Sequence, residues 1–214
     1  MTVAEITPRR QRTRDRLVDA AIGVIAEVGV VGASIEAICE AAGMTRGAFY
    51  SNFATKDDLL LAIIDRQVGS ALSDIQGTLA DDLFDTARTE HPEPTQALAA
   101  AIHQVFDRKP LVPHIVLAER QIELYVRRVP ELQQKFDELL ATHMRELSVL
   151  VENALAAIGG RPTIPTPELL DILADLAKAA ELKALTGVEG ASASGSRLDP
   201  AGIVRVLTAF VTFG

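Results

Sequence analysis

The stretch SIEAICEAAGMTRGAFYSNFATKDDLL, residues 34–60, decides how this chain is read. Ser34 stands where a helix cap belongs, ahead of a short run whose apolar face is Ile35, Ile38, Cys39 and Ala42. A hydroxyl there can accept from an N–H that the first helical turn leaves unbonded. Gly43 supplies the permissive backbone of a tight turn. Thr45 can cap the next helix, with Phe49 and Phe53 one turn apart on its inner side. Thr55 and Asp58 have capping-box spacing ahead of a long helix with the stripe Leu59, Leu60, Ile63, Ile64, Val68, Ala71, Leu72 and Ile75. Two short helices about a glycine turn, then a capped third, form a helix-turn-helix that presents one helix to a DNA groove.

Upstream, Leu17, Ala21, Val24, Ile25 and Val28 recur at helical spacing, and Gly29 sits where that helix should end. Arg9, Arg10, Arg12, Arg14 and Arg16 fall within eight residues, opposed there only by Asp15. Such a cluster is either a local DNA-facing surface or a solubilising tail. The distinction matters because the net charge is −8, so any nucleic-acid binding must come from a local basic surface.

Downstream the pattern stays helical and strand signals are nearly absent. HPEP (91–94) breaks helices, leaving a boundary around residues 77–95. Helices are expected at about 95–107, 114–128 and 130–158, with Pro130 at a first helical position. GGRPTIPTP (159–167) reads as a linker and GVEGASASGS (187–196) as a flexible loop. The last two helices, about 167–186 and 200–213, are apolar over wide arcs: Leu169, Leu170, Ile172, Leu173, Leu176, Leu182 and Leu185, then Ile203, Val204, Val206, Leu207, Phe210, Val211 and Phe213. Such helices have two things to pack against. The second is either more of the same chain or a symmetry-related copy, which would make a homodimer through these helices.

The fold class is therefore all-α, with a helix-turn-helix domain at 1–56 and a larger helical domain at 57–214. No apolar run reaches the roughly 18 residues that cross a membrane, the polar, basic N-terminal stretch leads us to expect no secretory segment, and a single cysteine excludes an internal disulfide. A soluble cytoplasmic protein is expected. There is no nucleophile–base pair, phosphate loop or metal-ligand spacing; His91, His103, His114 and His143 lack the i,i+4 pairing of helical zinc ligands. We expect no enzyme, no cofactor and no metal, and read Cys39 as core.

The helix at Thr45–Asn52 suits groove entry. Gly47 and Ala48 are small enough for close backbone approach. Arg46 can reach phosphate or a guanine edge. Thr45, Tyr50, Ser51 and Asn52 offer polar groups, and Ser34 and Lys56 flank the same surface. An ordinary three-helix core, with Tyr50 half-buried and Arg46 merely solvated, is the competing reading.

Residues 12–64 resemble the N-terminal domain of TetR-family transcriptional regulators, through RDRLVDAAIGVIAEVG (14–29) and the 34–60 stretch with its Gly47-Ala48-Phe49-Tyr50-Ser51-Asn52-Phe53 core and Lys56. Val-Pro-Glu-Leu in RRVPELQQKF (127–136) is similar to a common helix start in that family's larger domain. The resemblance implies a homodimer with one recognition helix per subunit on a palindromic operator, with Thr45, Arg46, Gly47, Tyr50, Ser34 and Lys56 in DNA contact. Ser51 and Asn52 depart from the aromatic and histidine residues frequent at those positions, so the operator sequence is not legible.

The resemblance also implies a small-molecule pocket in the larger domain whose occupation releases DNA. The alternative is a helical small-molecule-binding dimer that has lost operator binding. The polar groups interrupting the apolar positions at 95–158 are His103, His114, Gln121, Tyr125 and His143, with Phe106 placed to border a cavity. Each is a candidate effector contact or an ordinary core or surface residue. Aromatic residues are few and Trp is absent, so a cage for a quaternary cation is poorly supplied. The expected effector is small and mainly apolar.

Overall fold

A computed structural model describes residues 7–80, 93–108, 111–186 and 200–213. Its helices are α1 (Pro8–Gly32), α2 (Ile35–Ala41), α3 (Arg46–Tyr50), α4 (Lys56–Ala80), α5 (Pro94–Arg108), α6 (Pro113–Val126), α7 (Pro130–Ala157), α8 (Thr166–Thr186) and α9 (Ala201–Phe210). Two short strands, β1 (Gly160–Pro162) and β2 (Val211–Phe213), complete the described elements. The boundary segment at 81–92 and the glycine-rich loop at 187–196 lie outside the described residues.

The chain forms two compact units. The first holds the described residues up to Gln67 together with Pro113–Glu138. Its packing therefore extends past residue 56, through the first half of α4, and takes in α6. α1 lies along α6 and against α2. The core is built from Leu17, Ile25, Ile38, Phe49, Leu59, Leu60, Ile63, Ile122 and Val126, all fully buried.

The caps expected from sequence are formed. Ser34 Oγ accepts from Ala37 N at 3.1 Å and Thr45 Oγ1 from Ala48 N at 3.2 Å. Thr55 N donates to Asp58 Oδ2 at 3.0 Å while Asp58 N donates to Thr55 Oγ1 at 3.1 Å, a reciprocal capping box. Gly29 interrupts α1 with φ 77° and ψ 166°, a region essentially reserved for glycine. A Cβ there would stand 2.9 Å from Gln121 Oε1, so that side chain on α6 would have to swing aside.

α1 starts earlier than its apolar stripe indicated. Thr7 caps it and Pro8 opens it, so the arginines occupy the first turns of a helix and are not a tail.

The second unit comprises the described residues of Val68–Val112 and Leu139 onward. Its core joins Leu98, Ile102, Leu155, Ile158, Leu169, Ile203, Leu207 and Val211. Here the structure corrects an expectation: α9 stops at Phe210 and does not run to 213. Val211–Phe213 turns extended and pairs antiparallel with Gly160–Pro162, with Gly160 opposite Phe213 and Pro162 opposite Val211. β-Branched and aromatic residues favour that state once a partner is present. Gly160 permits the approach, since a Cβ there would meet Phe213 and Val211 side-chain atoms at 3.1 Å.

Candidate functional site

α3 is too short to hold itself together, so its neighbours do the holding. At its head Thr45 provides the cap, and the Thr45 carbonyl accepts from Cys39 Sγ at 3.7 Å. On its inner side Phe49 is fully buried, edge-on to Tyr50 with ring centroids 5.4 Å apart. At its tail two arginines from α1 close the free carbonyls. Arg10 Nη2 donates to Ser51 O at 3.1 Å and Arg14 Nη1 to Asn52 O at 2.7 Å. Arg14 also lies 4.3 Å over the Phe53 ring. Arg16 Nη2 does the same for α2, donating to Ala42 O at 2.8 Å. Cations at helix C-termini complement both the unpaired carbonyls and the helix dipole.

The outer face of α3 is open. Thr45, Arg46, Gly47, Tyr50 and Ser51 are exposed, as is Ser34 at the head of α2, while Ala48 is half-buried. Tyr50 keeps 49% of its surface, which sets aside the reading of it as a core residue. Arg46 Nη1 pairs with Glu36 at 2.9 Å, and its guanidinium lies 5.9 Å from the Tyr50 ring centre. The Tyr50 hydroxyl first, then the Glu36 carboxylate, raise the Arg46 pKa above its ordinary value. Arg46 therefore carries a permanent charge on an exposed surface, held by an exchangeable partner.

Two of the sequence candidates stand apart from this face. Asn52 is buried, with Nδ2 donating to Ala48 O at 2.8 Å and to Ser51 Oγ at 3.2 Å. Lys56 Nζ donates to Val30 O at 2.8 Å and Ala33 O at 3.2 Å, tying the head of α4 to the end of α1. Arg10, Arg14 and Arg16 were legible as a basic cluster but not as clamps. Their partners lie 41, 38 and 26 residues away, and no local spacing signals such a pairing.

The second unit holds a partly open cavity of about 260 Å³ between α4, α5, α7, α8 and α9. Ile75, Ile102, Phe106, Met144, Leu173 and Leu207 are among its walls, and every described lining residue is apolar. Of the residues singled out from sequence, Phe106 lines it. His103 is exposed on α5, and half-buried His143 does not reach the lining. His114, Gln121 and Tyr125 belong to the first unit. The polar interruptions in the sequence marked helix faces turned elsewhere; the cavity walls come from uninterrupted apolar positions. Among the described residues no cluster of three His, Cys, Asp or Glu side chains could hold a metal ion, and no helix is long and apolar enough to cross a membrane.

Residues 17–63, which include both helices of the turn and the clamped tail of α3, match the family described as bacterial regulatory proteins, tetR family. That segment carries the N-terminal domain of the TetR family. Among curated relatives, the HTH-type transcriptional regulator UidR of Escherichia coli strain K12 is 25% identical over 136 residues, 64% of this chain and 66% of that protein. The HTH-type regulator YvdT of Bacillus subtilis strain 168 is 38% identical over 68 residues, 32% of this chain and 35% of that one. The chain spans between 26% and 66% of the first curated relatives it matches. The fold is shared over most of the chain with FadR of Bacillus subtilis, solved with stearoyl-CoA. That likeness has a TM-score of 0.64 and 17% identity, covering 91% of this chain and 96% of that one.

Proposed function

We infer that this chain is a cytoplasmic, ligand-responsive repressor of the TetR family that binds a palindromic operator as a homodimer and is released by a small, mainly apolar molecule. The observation that carries the DNA half of this reading is the open face of α3: Thr45, Arg46, Gly47, Tyr50 and Ser51 exposed together on one helix pinned at both ends. Gly47 adds to it. Among the described residues a Cβ there would meet nothing nearer than Thr45 Oγ1 at 3.7 Å, so none of them demands a glycine. A close external surface, such as a sugar–phosphate backbone, supplies a reason. Arg46 would exchange Glu36 for phosphate or a guanine edge, and Tyr50 and Thr45 would donate to phosphates.

The DNA-binding role is assigned to residues 1–56 and the effector and dimer roles to 57–214. α8 supports the dimer, since Leu182 keeps 52% exposure and Leu185 is only partly covered. The cavity supports an apolar effector. α4 is the natural lever, because it carries Ile75 in the cavity wall and begins at the Lys56 clamp. A ligand preferring one spacing of the two recognition helices would shift the dimer population away from the operator-bound form.

A mobility-shift titration on the DNA flanking the chain's own gene tests the reading. Arg46→Ala and Tyr50→Phe should each weaken binding while dimerisation, read by sedimentation, persists. Binding should also fall steeply with salt as phosphate contacts release counterions. Unchanged affinity in both variants removes the assignment of α3; no shift at low salt returns the chain to the ligand-binding alternative.

A further inference from the structure

We propose that the cavity in the second unit takes an uncharged hydrocarbon group of about ten carbon atoms, and holds no ionic or hydrogen-bonding head inside its walls. This rests on reading the cavity as the effector site, and names the effector's chemistry.

The walls carry the argument. The described residues lining the cavity are all Ala, Val, Leu, Ile, Met or Phe, with no hydroxyl, amide, imidazole or charge among them. Backbone compensates little. Every described lining residue lies within a helix, and outside the first and last turns, where Ile203, Phe106 and Ala154 among others stand, their N–H and C=O groups bond within the helix. A carboxylate or ammonium placed inside would lose its water and find no partner, which is the costliest burial there is. A hydrocarbon would lose nothing and would gain dispersion contacts with the lining.

Size follows from the same walls. Ala101, Ala154, Ala174 and Ala177 line the cavity and leave the room that larger side chains would fill. An apolar protein cavity of about 150 Å³ accepts one benzene. By that ratio the about 260 Å³ here accepts about ten carbons. Alkylbenzenes and ten-carbon terpenes fit; a long acyl chain does not fit inside.

Three probes sharing a phenylbutyl skeleton test this on the native protein by calorimetry: neutral butylbenzene, anionic 4-phenylbutyrate and cationic 4-phenylbutylamine. Butylbenzene should bind at least tenfold more tightly than either ion. Ala174→Leu and Ala177→Leu, made separately, should each weaken butylbenzene at least tenfold. An ion that equals or exceeds butylbenzene overturns the proposal, as does no binding by butylbenzene up to its solubility. Undiminished binding in the filled variants that fold also overturns it. The three-probe ranking stands on the native protein even where neither variant folds. A parallel mobility shift separates the two readings. Butylbenzene that binds with the expected ranking but leaves the DNA complex intact sinks the effector role and leaves the chemistry of the cavity standing.

Discussion

Arg14 of α1 closes the end of α3: its Nη1 donates to the Asn52 carbonyl at 2.7 Å while its guanidinium covers the Phe53 ring at 4.3 Å. The bond is charge-assisted and partly buried, so it outweighs an ordinary surface pairing. Arg14→Ala should destabilise the chain by about 1–3 kcal/mol, combining a lost hydrogen bond to a charged group with a lost cation–π contact. Urea unfolding measures it. A midpoint within error of the parent would show that α3 is held without the clamp.

Gly47 separates folding from DNA contact. Its surroundings leave room for a methyl group, and glycine inside a helix costs roughly 0.5–1 kcal/mol relative to alanine. Gly47→Ala should therefore raise the unfolding midpoint slightly while weakening operator binding. A variant that is more stable and binds equally well would mean that no external surface approaches this position.

Lys56 should behave as a clamp. Its amine already serves the Val30 and Ala33 carbonyls. Lys56→Met should cost about 1–3 kcal/mol of stability, from the loss of charged-group hydrogen bonds to carbonyls left partly buried. The slope of log affinity against log salt should stay as in the parent. A slope shallower by about one would instead identify Lys56 as a phosphate contact.

Cys39 gives the chain a pH dependence. Burial first, then the Glu36 carboxylate, push its thiol pKa up, with Arg46 pulling less strongly the other way. An unfolded cysteine ionises near about 8.5, so above that pH the unfolded chain has released a proton that the folded chain retains. The stability contributed by the buried thiol is complete below that value and is lost as pH rises through the raised folded pKa. Unfolding midpoints from pH 7.5 to 10 should fall less steeply for Cys39→Ala than for the parent. Parallel curves would show the thiol titrating alike in both states.

The reach of sequence ends at the helical turn. Ser34, Thr45 and the Thr55–Asp58 pair could be placed as caps because a cap bonds within three residues of itself. Gly29 and Gly43 could be read as breaks, and both have positive φ, because a backbone conformation barred to side chains leaves its mark on residue type alone. The helix-turn-helix is a sum of such local rules, so it was legible along with the exposed Arg46 and Tyr50 that it displays.

What lay beyond that reach was contact between distant segments. Arginines 10, 14 and 16 are alike in sequence to any basic patch; only packing brings them to the carbonyls of Ser51, Asn52 and Ala42. Val211–Phe213 continues a helical stripe on paper and becomes a strand because Gly160–Pro162 arrives beside it. The cavity is the plainest case. Its wall residues look like any core, and empty space among Ala101, Ala154, Ala174 and Ala177 has no residue of its own to announce it. Local propensity thus determined the elements and the open face of α3, while the clamps, the strand pair and the cavity were decided by packing, in which each residue's partner lies elsewhere in the chain.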